Sequence, residues 1–71
     1  MEHDIFIKKL GKSITKMREK NKLSQSDLAR LMDLPRQNIY KLETGTMNPK
    51  AHTIYMLAKV MGESVGDLMN F

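Results

Sequence analysis

The stretch SQSDLARLMDLPRQNIYKLETG, residues 24–45, holds two short helical patterns with almost no chain between them. Ser24 stands three residues before Asp27 as a capping box, and the helix it opens turns Leu28, Ala29 and Met32 to one side. That pattern stops at Met32. Asp33 is a residue type that tolerates left-handed backbone, and Pro35 suits the first turn of a new helix, where its missing N–H costs nothing. The second pattern turns Ile39 and Leu42 inward and ends before Gly45, a good C-terminal cap. Helices of two or three turns are marginal alone in water, so the rest of the chain must hold both. A turn this tight also forbids an antiparallel hairpin. The pair must cross at a large angle, which leaves the second helix free to project from the body.

Further helices flank the pair. Over residues 4–21, Phe6, Leu10, Ile14 and Met17 recur at spacings of three and four, with Lys8, Lys9, Lys12, Lys16 and Lys20 mostly elsewhere. After TMNPK, Ile54, Leu57, Ala58 and Met61 mark another helix, closed at Gly62. Ser64 and Asp67 repeat the capping-box spacing for a last short helix that carries Val65, Leu68 and Met69. The expected fold is therefore all-α, one compact five-helix domain over residues 1–71, with helices at about 4–21, 24–32, 35–43, 50–61 and 64–70.

Composition narrows what such a domain can do. At 71 residues the chain lies near the lower limit for a fold held by one apolar core. It has no cysteine, which removes disulfides and thiolate metal sites. No apolar run approaches the roughly 18 residues of a membrane span, and a cytoplasmic location is expected. His3 and His52 are far apart, and no Gly-rich phosphate loop, H-E-x-x-H pair or nucleophile elbow occurs. The expectation is no enzyme, cofactor, metal or small-molecule substrate. Twelve Lys and Arg against eight Asp and Glu give a net charge of +4, which suits a polyanionic partner.

The projecting helix offers the means to read one. Its outward positions are Arg36, Gln37, Asn38, Tyr40 and Lys41. An Arg fork matches guanine O6 and N7, and Gln or Asn matches adenine N6 and N7. The first turn reaches base edges, so Arg36 and Gln37 lead, with Lys41 and Asn38 as further base contacts. Ser24 and Gln25, at the start of the preceding helix, are placed to receive a backbone phosphate, as are Tyr40, Thr44, Thr46, Asn48 and Lys50 near the second. Tyr55, Met56, Val65, Met69 and Phe71, with Met47, form a candidate apolar surface for a second copy.

Five blocks carry a family resemblance: S-Q-x-x-L-A at Ser24 to Ala29, I-x-x-L-E-x-G at Ile39 to Gly45, Asn48-Pro49, L-A-x-x-x-G at Leu57 to Gly62, and S-x-x-D-L at Ser64 to Leu68. In this order, over about three quarters of the chain, they resemble the phage-repressor and Cro-like helix-turn-helix family. The resemblance implies a lambda-repressor-like DNA-binding domain, a dimer on a palindromic operator in double-stranded DNA, with residues 35–43 as recognition helix. It implies an ion pair between Arg18 and Glu43 and gives Gln25 the roles of phosphate contact and brace. Three positions depart from the pattern. Asp33 stands where Gly is frequent, Glu63 where an apolar residue is usual, and Lys50 where a cap such as Ser is expected. The alternative is a protein-interaction module, such as the antitoxin of a toxin–antitoxin pair. An interaction face should be apolar at its centre, and the outward residues here are polar and basic.

Overall fold

The computed structural model describes residues 2–71, and among these it contains five helices and no strand. They are α1 (Glu2–Lys20), α2 (Gln25–Met32), α3 (Arg36–Thr44), α4 (Ala51–Val60) and α5 (Val65–Leu68). The expected number and order are found, with ends displaced by a few residues. The last helix is the most shortened, because its capping box at Ser64 and Asp67 has only one turn to support before Met69 leaves helical geometry.

All five helices feed one core. Leu10 and Ile14 of α1, Leu28 of α2, Ile39 of α3, Leu57 of α4 and Leu68 of α5 are each less than 2 % exposed. Each such side chain contributes about 1.5–3 kcal/mol by leaving water. Against them pack α1 on α3, α2 on α3, α4 on α5, α2 on α4 and α1 on α5. The Ser13 hydroxyl donates to the Leu68 carbonyl and ties the short α5 to the long α1.

One side of α1 is rotated from the expectation at its N-terminal end. Ile7, not Phe6, joins Leu10, Ile14 and Met17 in the buried set. Both choices fit helical spacing, and only the neighbouring elements decide between them. Phe6 lies against Phe71 instead, with ring centroids 5.6 Å apart. The methionines divide as their spacing suggests. Met17 and Met61 are buried, and Met32 packs against the core. Met47 and Met69 also pack against it and are half-buried.

Two helix ends use left-handed backbone without glycine. Lys22, after α1, has φ 58°, and Asp33, after α2, has φ 56°. At α2 the Asp33 N–H reaches the Arg30 carbonyl and the Leu34 N–H reaches that of Ala29 at 2.9 Å. Left-handed backbone strains an L-residue but not glycine, whose greater freedom in the unfolded chain offsets part of the gain. Asp33→Gly is therefore expected to raise stability by about 0.5–1 kcal/mol, seen as a higher Tm. A lower Tm would mean that the Asp33 side chain supports the turn in some further way.

Candidate nucleic-acid interface

The two helices of the opening stretch are joined as their sequence requires. Ser24 Oγ accepts the Asp27 N–H at 2.9 Å while Asp27 Oδ2 accepts the Ser24 N–H at 2.9 Å, which closes the capping box of α2. Those bonds and the Arg30 contact hold the exposed Asp27 carboxyl below its ordinary range. After Asp33 and Leu34, Pro35 is extended, with φ −61° and ψ 143°. Pro35 is thus the N-cap of α3 and not a residue of its first turn. The proline fixes its own φ and gives up no needed donor, because the cap position precedes the hydrogen-bonded turns.

The placement of Ile39 and Leu42 in the core orients α3. At about 100° per residue, Gln37, Tyr40, Lys41 and Thr44 then occupy the side away from the body, with Arg36 and Asn38 on its two flanks. Exposure agrees. Arg36, Gln37, Tyr40, Lys41 and Thr44 are exposed, whereas Asn38 is half-buried. Gln25, Arg36, Gln37 and Tyr40 line one open depression where the start of α2 meets the first turns of α3. The structure thus brings together two residues expected to read bases and two expected to hold phosphates.

A chain of hydrogen bonds runs from that depression to α1. Arg18 Nε donates to Glu43 Oε2 at 2.6 Å and Arg18 Nη2 to Glu43 Oε1 at 3.1 Å, forming a forked ion pair. Arg18 Nη1 donates to the Leu23 carbonyl at 2.8 Å. Gln25 Nε2 also donates to Glu43 Oε1, at 3.1 Å, and Gln25 Oε1 accepts from Arg36 Nη1 at 2.8 Å. The side chains of Arg18 and Glu43 are only 12 % and 5 % exposed, so water cannot easily replace the bonds between those two. Burial pushes the Glu43 carboxyl up, but hydrogen bonds from Arg18 and Gln25 pull it further down, and it ends below its ordinary value of 4.5. The bond to Glu43 raises the Arg18 guanidinium.

Four side chains from three helices are therefore one unit: Arg18 of α1, Glu43 at the end of α3, Gln25 at the start of α2, and Arg36 at the start of α3. The Arg18–Glu43 pair was expected from the resemblance. The resemblance also gives Gln25 a bracing role, and its bonds to Glu43 and Arg36, 18 and 11 positions away, supply the particular partners, which nothing in the sequence marks.

The other expected phosphate contacts differ in what they have free. Ser24 Oγ spends a lone pair on its cap, which leaves the O–H available. Thr44 Oγ1 donates to the Tyr40 carbonyl at 2.9 Å and lies 3.0 Å from Thr46 Oγ1, which itself reaches the Lys41 carbonyl at 3.3 Å. Those two hydroxyls finish the end of α3 beside Gly45, where φ is 73°. Asn48 and Lys50 are exposed on the segment before α4. Lys50 is the N-cap of α4 and makes no side-chain cap bond. Lys50→Ser should supply that bond and raise stability by about 1 kcal/mol. Of the expected surface for a second copy, Tyr55 and Val65 line a hollow with Lys59 and Glu63. Met56 is half-buried, and Phe71 lies against α1.

The family model described as helix-turn-helix matches residues 14–68. Among solved structures, the crystal structure of the restriction-modification controller protein C.AhdI from Aeromonas hydrophila is similar, with a TM-score of 0.84 and 29% sequence identity. The similarity covers 87% of this chain and 94% of that one. No curated protein matches the sequence.

Proposed function

The chain belongs to the helix-turn-helix family, and from that premise we propose that it is a sequence-specific regulator of transcription that sets α3 into the major groove of double-stranded DNA. The observation that carries this reading is the outward side of α3, polar and basic along its length, with Arg36 held at its first turn by Gln25. An arginine fixed before binding loses less freedom on meeting a base. Gln37 and Lys41 point most directly at base edges, and Arg36 reads from the α2 side. Asn38 is the weakest of the four, on a flank and half-buried.

Ser24, Gln25, Tyr40, Asn48 and Lys50 fix the register by holding phosphates. Gln25 can do so while bracing Arg36, through its backbone N–H in the first turn of α2. Thr44 and Thr46 contribute less, because their hydroxyl protons serve the end of α3. The reading extends to a dimer on a palindromic operator, with Tyr55 and Val65 at its surface. It also extends to repression, since a protein lodged in the major groove of a promoter blocks polymerase. The similar structure is that of a controller protein, which supports a regulatory role.

Selection of bound duplexes from a random pool, followed by anisotropy titrations at several salt concentrations, tests this reading. A palindrome with half-sites about one helical turn apart, roughly 34 Å, is expected to emerge. Gln37→Ala and Arg36→Ala should each cost about 1–3 kcal/mol at one base position and relax the preference there. Lys50→Ala should weaken all sequences evenly and reduce the salt slope by about 1. Lys50→Ser, which raises stability, should weaken binding in the same way. If no sequence is enriched, or if only steeply salt-dependent general binding is found, the reading fails.

A further inference from the structure

The lysines of this chain are not concentrated where DNA would lie. Lys9, Lys12 and Lys16 sit on the outer side of α1, all exposed, and none of them makes an ion pair among the described residues. Lys20 continues the row but is engaged by Glu63 at 3.1 Å. The position of this row relative to the recognition helix follows from Gly11. A Cβ built at Gly11 would lie 2.5 Å from the Glu43 carbonyl, so that position of α1 faces α3. Around α1, Lys12, Lys16 and Lys9 lie about 100°, 140° and 160° from Gly11, on the side turned away from α3. A duplex held by α3 does not reach them.

Next to these lysines lies an apolar surface. Ile5 is 54% exposed, Phe6 39% and Phe71 49%. With Lys9 they line a hollow of about 240 Å³. Lys9 and Phe71 also line the adjoining groove of about 310 Å³, which continues along α1 past Lys12 and Lys16. An apolar floor at one end, opening onto a cationic groove, favours one kind of occupant. A duplex has no use for two phenyl rings. A lipid surface is met by apolar side chains that protrude from a convex face, whereas these two rings lean against one another at 51° and line a hollow. A second copy of the chain would bring two lysine rows together.

We propose that this side of α1 is a docking surface for an acidic amphipathic helix of another protein, whose apolar side chains fill the hollow at Ile5, Phe6 and Phe71 and whose carboxylates meet Lys9, Lys12 and Lys16. Lys12 and Lys16 are one helical turn apart, about 6 Å, the spacing of carboxylates at i and i+4 on a facing helix. The surface remains open while α3 is in the groove, so a DNA-bound regulator can hold a partner there. The surface rests on its own observations, and if operator binding fails, the peptide measurements below still decide it.

The test is selection of short random peptides on the free protein, followed by fluorescence titration of the enriched peptides. Peptides with Asp or Glu beside Leu or Phe at helical spacing are expected. Their affinity should fall about tenfold or more for Lys12→Glu/Lys16→Glu and for Phe71→Ser, and should hold for Lys41→Glu on the recognition side. The lysine variant should keep its melting temperature and its operator affinity. Failure to enrich acidic amphipathic sequences overturns the proposal, as does binding lost with Lys41→Glu but not with Lys12→Glu/Lys16→Glu. Two parallel measurements use a duplex lacking the operator and vesicles of equal phosphatidylglycerol and phosphatidylcholine. If either binds the wild type through Lys12 and Lys16 more tightly than the peptides do, the face belongs to nucleic acid or lipid and the proposal falls.

Discussion

Glu43→Ala is expected to cost about 3 kcal/mol, because it leaves the guanidinium of Arg18 largely buried with two of its three hydrogen bonds unmade. For a domain of this size, whose whole stability is on the order of 4–10 kcal/mol, that is a large fraction. The Tm should fall by about 12–24 °C. Three hydrogen bonds end on this carboxylate, two from Arg18 and one from Gln25. Its loss therefore also frees Gln25, and with it Arg36. DNA affinity should drop by more than the unfolded fraction accounts for, measured where the variant is still folded. Replacing both partners, as in Arg18→Met/Glu43→Leu, should recover part of the stability, since an apolar pair leaves no charge stranded. The recovery should not extend to DNA binding, because Gln25 would still lack its acceptor.

The same carboxylate sets an acid limit. Its folded value lies below the ordinary 4.5, so its contribution is complete above that pH and is lost as pH falls through the lower, folded value. The gap in stability between wild type and Glu43→Gln should be constant near neutrality and narrow below pH 4.5. A Tm for Glu43→Ala equal to that of wild type would reject the network as a source of stability.

Gly11→Ala is the second large effect, and its sign is opposite to that of most helix positions. In an exposed helix interior Ala is better than Gly by about 0.5–1 kcal/mol. At Gly11 the added Cβ would lie 2.5 Å from the Glu43 carbonyl oxygen and 2.7 Å from that of Leu42. Both are backbone atoms in the last turn of α3, so no rotamer change relieves the contact. The helices must separate, and the strain should cost about 3 kcal/mol. Separation at this point also pulls Glu43 from Arg18, so DNA binding should suffer along with the Tm. Gly66→Ala is the control. Its nearest new contact is Ser64 Oγ at 3.6 Å, an ordinary distance, and it should be neutral or slightly stabilising. Gly11→Ala with a Tm at or above wild type would mean that the two helices have room to adjust.

The two effects differ in how far the sequence reveals them. Glu43 could be assigned a partner because the resemblance supplied one. Gly11 gave only a weak sign, a glycine in the middle of an amphipathic pattern, which a sequence offers without saying what approaches it. The burial of Ile7 in place of Phe6 has a related reason. Periodicity fixes which residues share a face, but near a helix end two neighbouring faces fit it nearly as well, and the choice falls to whatever packs there. Met47, on the segment between α3 and α4, packs against the core although no helical period marks it.

What the sequence alone determined was local: five helices, the capping boxes at Ser24 and Ser64, the left-handed turn at Asp33, the stop at Gly45, and the residue types on the outside of α3. Each follows from interactions within a few residues, where spacing along the chain and spacing in space are the same thing. The tertiary structure decided what depends on distant residues meeting. It chose Ile7 over Phe6, brought α1 onto α3 at Gly11, and joined Arg18, Glu43, Gln25 and Arg36. It also set the free lysines of α1 on the side away from α3. Those outcomes depend on packing among helices, in which close contact and desolvation select one arrangement from several that the local code allows equally.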